Sequence, residues 1–278
     1  NQTATIAAAG SASQFLRVFS SPKGSGFTLV STAARPDLIP RFAELSAPVW
    51  PDFIDGDEAV IRYWDALFGE KLARYQFVAL HVDENGVEEV VATSNAIPFF
   101  WPTPDDDNSL PDDGWDEMMR LGVEGAAAGI KPNALSALSI VVAPAWRGSD
   151  LAGRLLLNMK AVARAEGFSA LVAPVRPTRK PDYPLTSFAD YVGWMRPDGT
   201  PFDPWVRKHV QLGAKIVKIA PRGMVVSAPL TVWTEWTGLR FPVSGAYHLP
   251  GGLAPMHADL EAGRGLYEEP ALWLRHPL

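Results

Sequence analysis

The chain of 278 residues contains no cysteine. Disulfides, thiolate nucleophiles and cysteine-ligated zinc are excluded at once. No apolar run approaches the ~18–20 residues that a membrane helix requires. The first residues show no basic segment followed by an apolar stretch, so no secretory leader is read and a cytoplasmic location is expected. Positive charge is also scarce: 25 Lys and Arg against 31 Asp and Glu leave a net charge of −6. A nucleic-acid partner needs a cationic face and is not expected, nor is a membrane partner. The five histidines show neither HExxH nor HxH spacing, so no metal is expected. There is also no GxSxG elbow and no GxxxxGK[ST] loop.

What is present is an ordinary globular balance, 47% hydrophobic and 20% charged, with enough chain for one large core. Residues 1–26, rich in Ala, Ser and Gly without periodicity, read as a flexible N-terminal arm. Residues 27–229 read as the main domain and 230–278 as a C-terminal extension packed on it. Within the domain, strands are expected at 27–33, 76–82 and 87–93, the last two joined by an Asn85-Gly86 turn. Helices are expected around 36–45 and 57–73. Residues 98–116, full of Pro and Asp and flanked by Trp101 and Trp115, form a loop longer than most connections. It reads as a solvated loop or as a lid whose carboxylates attract a cationic amine. A helix follows over 115–129, then a strand at 134–143, a turn, a helix to Glu166 stopped by Gly167, and a strand at 170–175. That order is a right-handed βαβ unit. Short helices near 187–194 and 205–212 precede two antiparallel strands at 215–220 and 224–228.

The turn of the βαβ unit carries chemistry. The first turn of a helix presents unpaired N–H groups and partial positive charge, and a glycine-containing turn lets phosphate oxygens approach them. Residues 142–152 have that arrangement, with Arg147 as side-chain help. The string LSIVVAPAWRGSDLAGRLL resembles motif A of the GNAT superfamily of acyl-CoA-dependent acyltransferases. Arg147 fills its first place and Ala152 its last, while Asp150 stands where a middle glycine is usual. The order of elements over 27–228 resembles the family as well.

The resemblance implies an α/β (α+β) fold of GNAT type: a mixed, mostly antiparallel central sheet flanked by helices, with loop insertions. It implies acyl transfer, acetyl from acetyl-CoA to an amine of a small molecule, by direct attack in a ternary complex. Ser139, Ile140, Val141 and Val142 would line the acyl-pantetheine arm. The N–H groups of Arg147, Gly148, Ser149, Asp150, Leu151 and Ala152 would hold the pyrophosphate. The thioester oxygen would take a backbone N–H near Ile140. A tyrosine on the late helix, four residues before its closing glycine, protonates the leaving thiolate in many relatives. Here His209 occupies that place before Gly213, and an imidazolium would serve. Tyr191 is the reserve donor. The strand lacks the carboxylate base of many relatives, and Glu124, acting through water, is the nearest candidate. A homodimer is compatible with the resemblance and the aromatic tail. The alternative, motivated by Asp150 and the missing base, is a non-catalytic GNAT-like protein that binds a ligand or partner.

Overall fold

Side chains alternate across a strand, so one apolar run can feed two cores. Val30, Val78, Leu80 and Val90 gather with Leu38 and Phe42 in one cluster. Their neighbours Leu29, Phe77 and Ala79 join the main core instead. The computed structural model describes residues 26–278, together with the backbone of 17–19. The other residues of the expected arm lie outside the described residues.

The elements, in chain order, are β1 (Arg17–Phe19), β2 (Phe27–Ser31), α1 (Ile39–Ser46), α2 (Glu58–Tyr63), β3 (Phe77–Val82), β4 (Glu88–Phe99) and α3 (Gly114–Ala128). Next come β5 (Ala134–Val142), α4 (Leu151–Ala165), β6 (Leu171–Val175), α5 (Phe188–Val192), α6 (Pro204–Gln211) and β7 (Lys215–Pro229). The last are α7 (Leu230–Thr237), β8 (Gly245–His248), β9 (Pro255–Asp259) and β10 (Arg264–His276). The sheet runs β1-β2-β3-β4-β5-β6-β10-β9-β8, with β7 on β10. Among the described residues only β5 and β6 are parallel, so the mixed, mostly antiparallel sheet implied by the resemblance is present.

Two faces follow from register. Asn95 pairs with Ser139 and Thr93 with both Val78 and Val141, so these side chains share the face that α1 covers. Ile97, two residues beyond Asn95, lies on the same face. A Cβ at Gly122 of α3 would overlap the Ile97 side chain, so α3 packs on that face too. The core of α4, Leu151, Leu155 and Met159, belongs with the alternate set Leu29, Phe77 and Ala79.

Several expectations are corrected. β4 does not stop before Pro98 but runs through it to Phe99. β3 pairs no further than Ser94, so Pro98 has no neighbour to donate to on that side and the ladder tolerates it. The helix expected to reach residue 73 ends at Tyr63 and tightens into a 3₁₀ turn over Trp64–Phe68. The two strands expected at 215–220 and 224–228 are one strand, β7, with a register shift in its middle. Its partner is β10, which enters the sheet between β6 and β9 from the segment read as an extension. The Glu268-Glu269-Pro270 interruption hides that strand from a pattern search.

The acidic loop is a strap. Asp107 is paired with Arg275 and with Lys215 at 3.3 Å, Asp112 with Lys218 at 3.1 Å, and Asp113 with Arg222 at 2.9 Å. Its carboxylates are mostly spent on tying the loop to β7 and β10.

Candidate active site

The parallel pair β5–β6 is joined only at Leu135↔Leu171 and Ser136↔Val172. β5 then continues to Val142 and β6 to Val175 without pairing. Each keeps its outer neighbour, β4 or β10, so the inner edges expose backbone N–H and C=O groups to a widening gap. An extended amide-bearing chain can satisfy them as a strand would. The vertex carries a bulge. Asn95 opposes Ser139 but Ala96 opposes Ala137, leaving Leu138 as the extra residue. Trp115 Nε1, from the first turn of α3, donates to the Leu138 carbonyl at 3.2 Å.

At the mouth of the gap, β5 leads through a 3₁₀ turn, Pro144–Trp146, into the turn before α4. Gly148 sits at φ +78°, where a side chain would be strained. Residues 147–150 are exposed, and the N-cap residue Asp150 makes no capping bond; the one side-chain acceptor at the first turn is Ser149 Oγ, a long 3.4 Å from Leu151 N. Asp150 does not fill the turn. Lys208 of α6 lies 3.3 Å from one of its oxygens and Arg154 3.5 Å from the other. Its Oδ1 would stand 2.7 Å from a Cβ at Gly153, which explains why glycine is tolerated inside α4 there. The carboxylate faces cations, and the first-turn N–H groups stay available for an anion. The sequence-predicted Ser139 to Val142 lie on the stretch of β5 beyond its pairing with β6, and Arg147 to Ala152 lie on the turn and the start of α4 that follow it.

The three side chains expected to move protons are placed elsewhere. His209 is 1% exposed, its Nδ1 2.9 Å from His276 Nε2 and its ring edge-on to Trp205. Burial, and then His276, push its pKa down to about 3, so the ring is held neutral rather than as the imidazolium expected of it. Tyr191 is 1% exposed and donates to Asp203 Oδ2 at 2.8 Å. Burial first, then that bond, raise its pKa, so its proton is committed to anchoring the 187–204 insert. Glu124 accepts from Tyr63 Oη at 2.5 Å and from Arg120 at 2.9 Å. The Tyr63 bond holds its pKa low, which suits a carboxylate and not a base. It also stands nine residues after Trp115, half a turn around α3. There it lines a cavity of about 510 Å³ with Trp101, Leu110 and Glu117, away from the Leu138 contact.

Sequence reasoning missed a buried carboxyl pair, Asp57 and Asp116. Asp57 caps α2, accepting from Ala59 N at 2.7 Å and Val60 N at 3.1 Å. Its second oxygen and Asp116 Oδ2 both accept from Val225 N, at 3.1 and 3.0 Å. Asp57 is 0% exposed, and Asp116 Oδ1 is buried without a partner. Among the described residues no Lys or Arg is ion-paired to either. Burial, and then the Asp57 charge, push Asp116 up to about 9, so the pair shares a proton at neutral pH. Close backbone contact makes the approach possible: a Cβ at Gly114 would stand 2.7 Å from Gly223 Cα. The pair thus sits where the start of α2 and the first turn of α3 meet Val225 of β7. Asp57 was legible only as a helix opener, and Asp116 was hidden among five other acidic loop residues.

Among the described residues no three His, Asp or Glu side chains gather as a metal site, and no helix is long and apolar enough to cross a membrane.

A splayed parallel strand pair, a bulge at its vertex and an uncapped glycine turn opening the crossover helix define an acyl-CoA-dependent N-acyltransferase, and the chain belongs to the GNAT superfamily. It is 37% identical to the arginine N-acetyltransferase avaD of Aspergillus versicolor, over 91% of this chain and 94% of that one. In fold it is similar to the crystal structure of the loading GNATL domain of CurA from Lyngbya majuscula. That likeness has a TM-score of 0.56 at 17% identity and covers 90% of this chain and 97% of the other. No family model matches the chain. The activity is transfer of an acyl group from CoA to an amine, and the non-catalytic alternative is set aside.

Proposed function

We propose that the chain acetylates the α-amine of arginine, or of a closely similar small molecule with a guanidinium at the far end. The observation that carries this reading is the Asp57–Asp116 pair, a buried acidic site at the start of α3 that is ion-paired to no Lys or Arg among the described residues. A guanidinium is planar, always charged, and matched to paired carboxylate oxygens. The named substrate of the relative agrees with it.

Acetyl-CoA supplies a thioester whose carbonyl carbon accepts the amine. The free edges of β5 and β6 hold the pantetheine amides, and a β5 N–H near Ile140 polarises the thioester oxygen. The uncapped first turn of α4, with Arg147, takes the pyrophosphate. The carboxyl pair gives up its shared proton and holds the guanidinium. That group never deprotonates and so is no nucleophile. The α-amine is the more acidic of the two cationic groups of arginine and a thiol has a pKa near ~8.5, so as pH rises a growing fraction of the amine is neutral and the thiol leaves as an anion. Neither step then requires His209, Tyr191 or Glu124.

A thiol-release assay with acetyl-CoA tests this. Arginine is the expected acceptor. Citrulline, its uncharged isostere, should fall about 10- to 100-fold in kcat/KM, the cost of ~1.5–3 kcal/mol for a lost charged hydrogen bond. Asp116→Asn should erase most of that preference. An enzyme that leaves arginine untouched, or prefers citrulline, refutes the proposal.

A further inference from the structure

A chain of buried amides runs from the gap into the interior, and its direction is fixed from the inner end. Gln76 is 0% exposed, and one of its side-chain polar atoms lies 2.9 Å from both Leu72 O and Ala96 O. Carbonyls only accept, so that atom must be the nitrogen Nε2. Gln76 Oε1 therefore faces outward and accepts, from Ala96 N at 3.3 Å and from Asn95 at 3.0 Å. The atom of Asn95 at that contact is then its nitrogen, which leaves Asn95 Oδ1 for the last partner. That partner is Ser139 Oγ at 2.7 Å, which must donate. Two backbone carbonyls thus settle the hydroxyl rotor of a residue three links away.

Ser139 is half-buried and follows the bulged Leu138 directly, past the last β5–β6 pair. β4 with Asn95 lies on one side of it, and on the other no strand lies against β5. Its side chain is on the α3 face, opposite the crossover helix, and its proton points inward. Towards the gap it offers only lone pairs.

The geometry points to Ser139 Oγ as the acceptor of one N–H of the attacking amine, with Asn95 and Gln76 as positioning residues that keep the hydroxyl turned inward. A neutral amine holds its lone pair opposite its N–H bonds, so fixing one N–H on Ser139 turns the lone pair toward the thioester carbon. The N–C bond forms, the C–S bond breaks with its electron pair leaving on sulfur, and the surplus amine proton passes to water. Nitrogen becomes positive along that path, so the N–H···Oγ bond strengthens in the transition state and acts on kcat more than on KM. A hydroxyl free to rotate would instead spend part of its time donating to the amine lone pair and blocking attack. The inference rests on the transferase activity and not on arginine being the acceptor, so any amine the wild-type enzyme uses serves for its test.

The test is steady-state kinetics with that amine for Ser139→Ala, Ser139→Thr, Asn95→Ala and the Ser139→Ala/Asn95→Ala double variant. Ser139→Ala should lose about 10- to 100-fold in kcat with the KM for acetyl-CoA unchanged, as for a hydrogen bond to a developing charge. Ser139→Thr, which keeps the hydroxyl, should recover most of the rate. The double variant should be no slower than the slower single one, because Asn95 acts through Ser139. The pH at which the rate rises should stay in place, since Ser139 takes no proton. Ser139→Ala within twofold of wild type overturns the inference. So does a loss confined to the KM for acetyl-CoA, or an apparent pKa displaced by a unit or more. Should Asn95→Ala fail to fold, the Ser139 pair still decides.

Discussion

Acidification should unfold this protein through two histidines that face no solvent. His209 and His276 are held neutral, with pKa values pushed down to about 3 and about 4, chiefly by burial. The second contributions are His276 acting on His209, and Lys160 acting on His276. In the unfolded chain both titrate near ~6.5. Below that pH the unfolded chain binds protons that the fold refuses, so the stability present above pH ~6.5 is lost as pH falls. Each such ring costs about 1.4 kcal/mol per pH unit, so two rings between pH ~6.5 and ~4 cost roughly 7 kcal/mol. Asp116 opposes them. Its raised pKa means that the fold keeps a proton the unfolded chain releases, which returns roughly 3 kcal/mol over the same interval. The histidines win by about 3–4 kcal/mol, a large part of a typical total of ~5–15 kcal/mol. Urea unfolding followed by tryptophan fluorescence at a series of pH values reads this directly. The double variant His209→Leu/His276→Leu removes both rings and leaves no unpaired nitrogen. Its stability should hold level or rise between pH 6.5 and 4. A double variant that loses stability as steeply as the wild type refutes the reasoning.

Two further outcomes are expected. Asp150→Asn should tighten acetyl-CoA binding about three- to fivefold by calorimetry, because it removes a carboxylate worth ~1 kcal/mol of repulsion in a solvated turn. Unchanged binding would mean that Lys208 and Arg154 already cancel it. Gly122→Ala should lower stability by about 1–3 kcal/mol, because the added methyl overlaps Ile97 across the α3 interface. A thermal midpoint equal to wild type would show that the helix shifts freely.

The fold and the site were legible to different depths. β5, the turn and α4 were readable because a buried strand, a glycine turn and a helix each leave a local pattern, and the anion groove is built from backbone over one short stretch. β10 was not readable. Its pairing with β7 and β6 spans some thirty-five to a hundred residues, and Glu269, which faces inward to meet Arg176 at 2.7 Å, breaks the alternation. The proton-handling residues failed for a related reason. Position along α6 suggested the family's tyrosine place for His209, but only the late strand brings His276 against it. Asp57 and Asp116 are likewise distant in sequence, and both accept from Val225 of β7. Chemistry carried by main chain was visible, and chemistry made by distant side chains was not.

Placing β10 between β6 and β9, with β7 alongside, also sets a timetable for synthesis. While the ribosome is still making residues 264–276, the nascent chain already holds β6 and β7 with their hydrogen-bonding edges bare. The groove wall made by β6 is therefore finished last. A transcript cut short by one strand would release a polypeptide with most of its mass but no closed catalytic half, a natural substrate for chaperones and proteases.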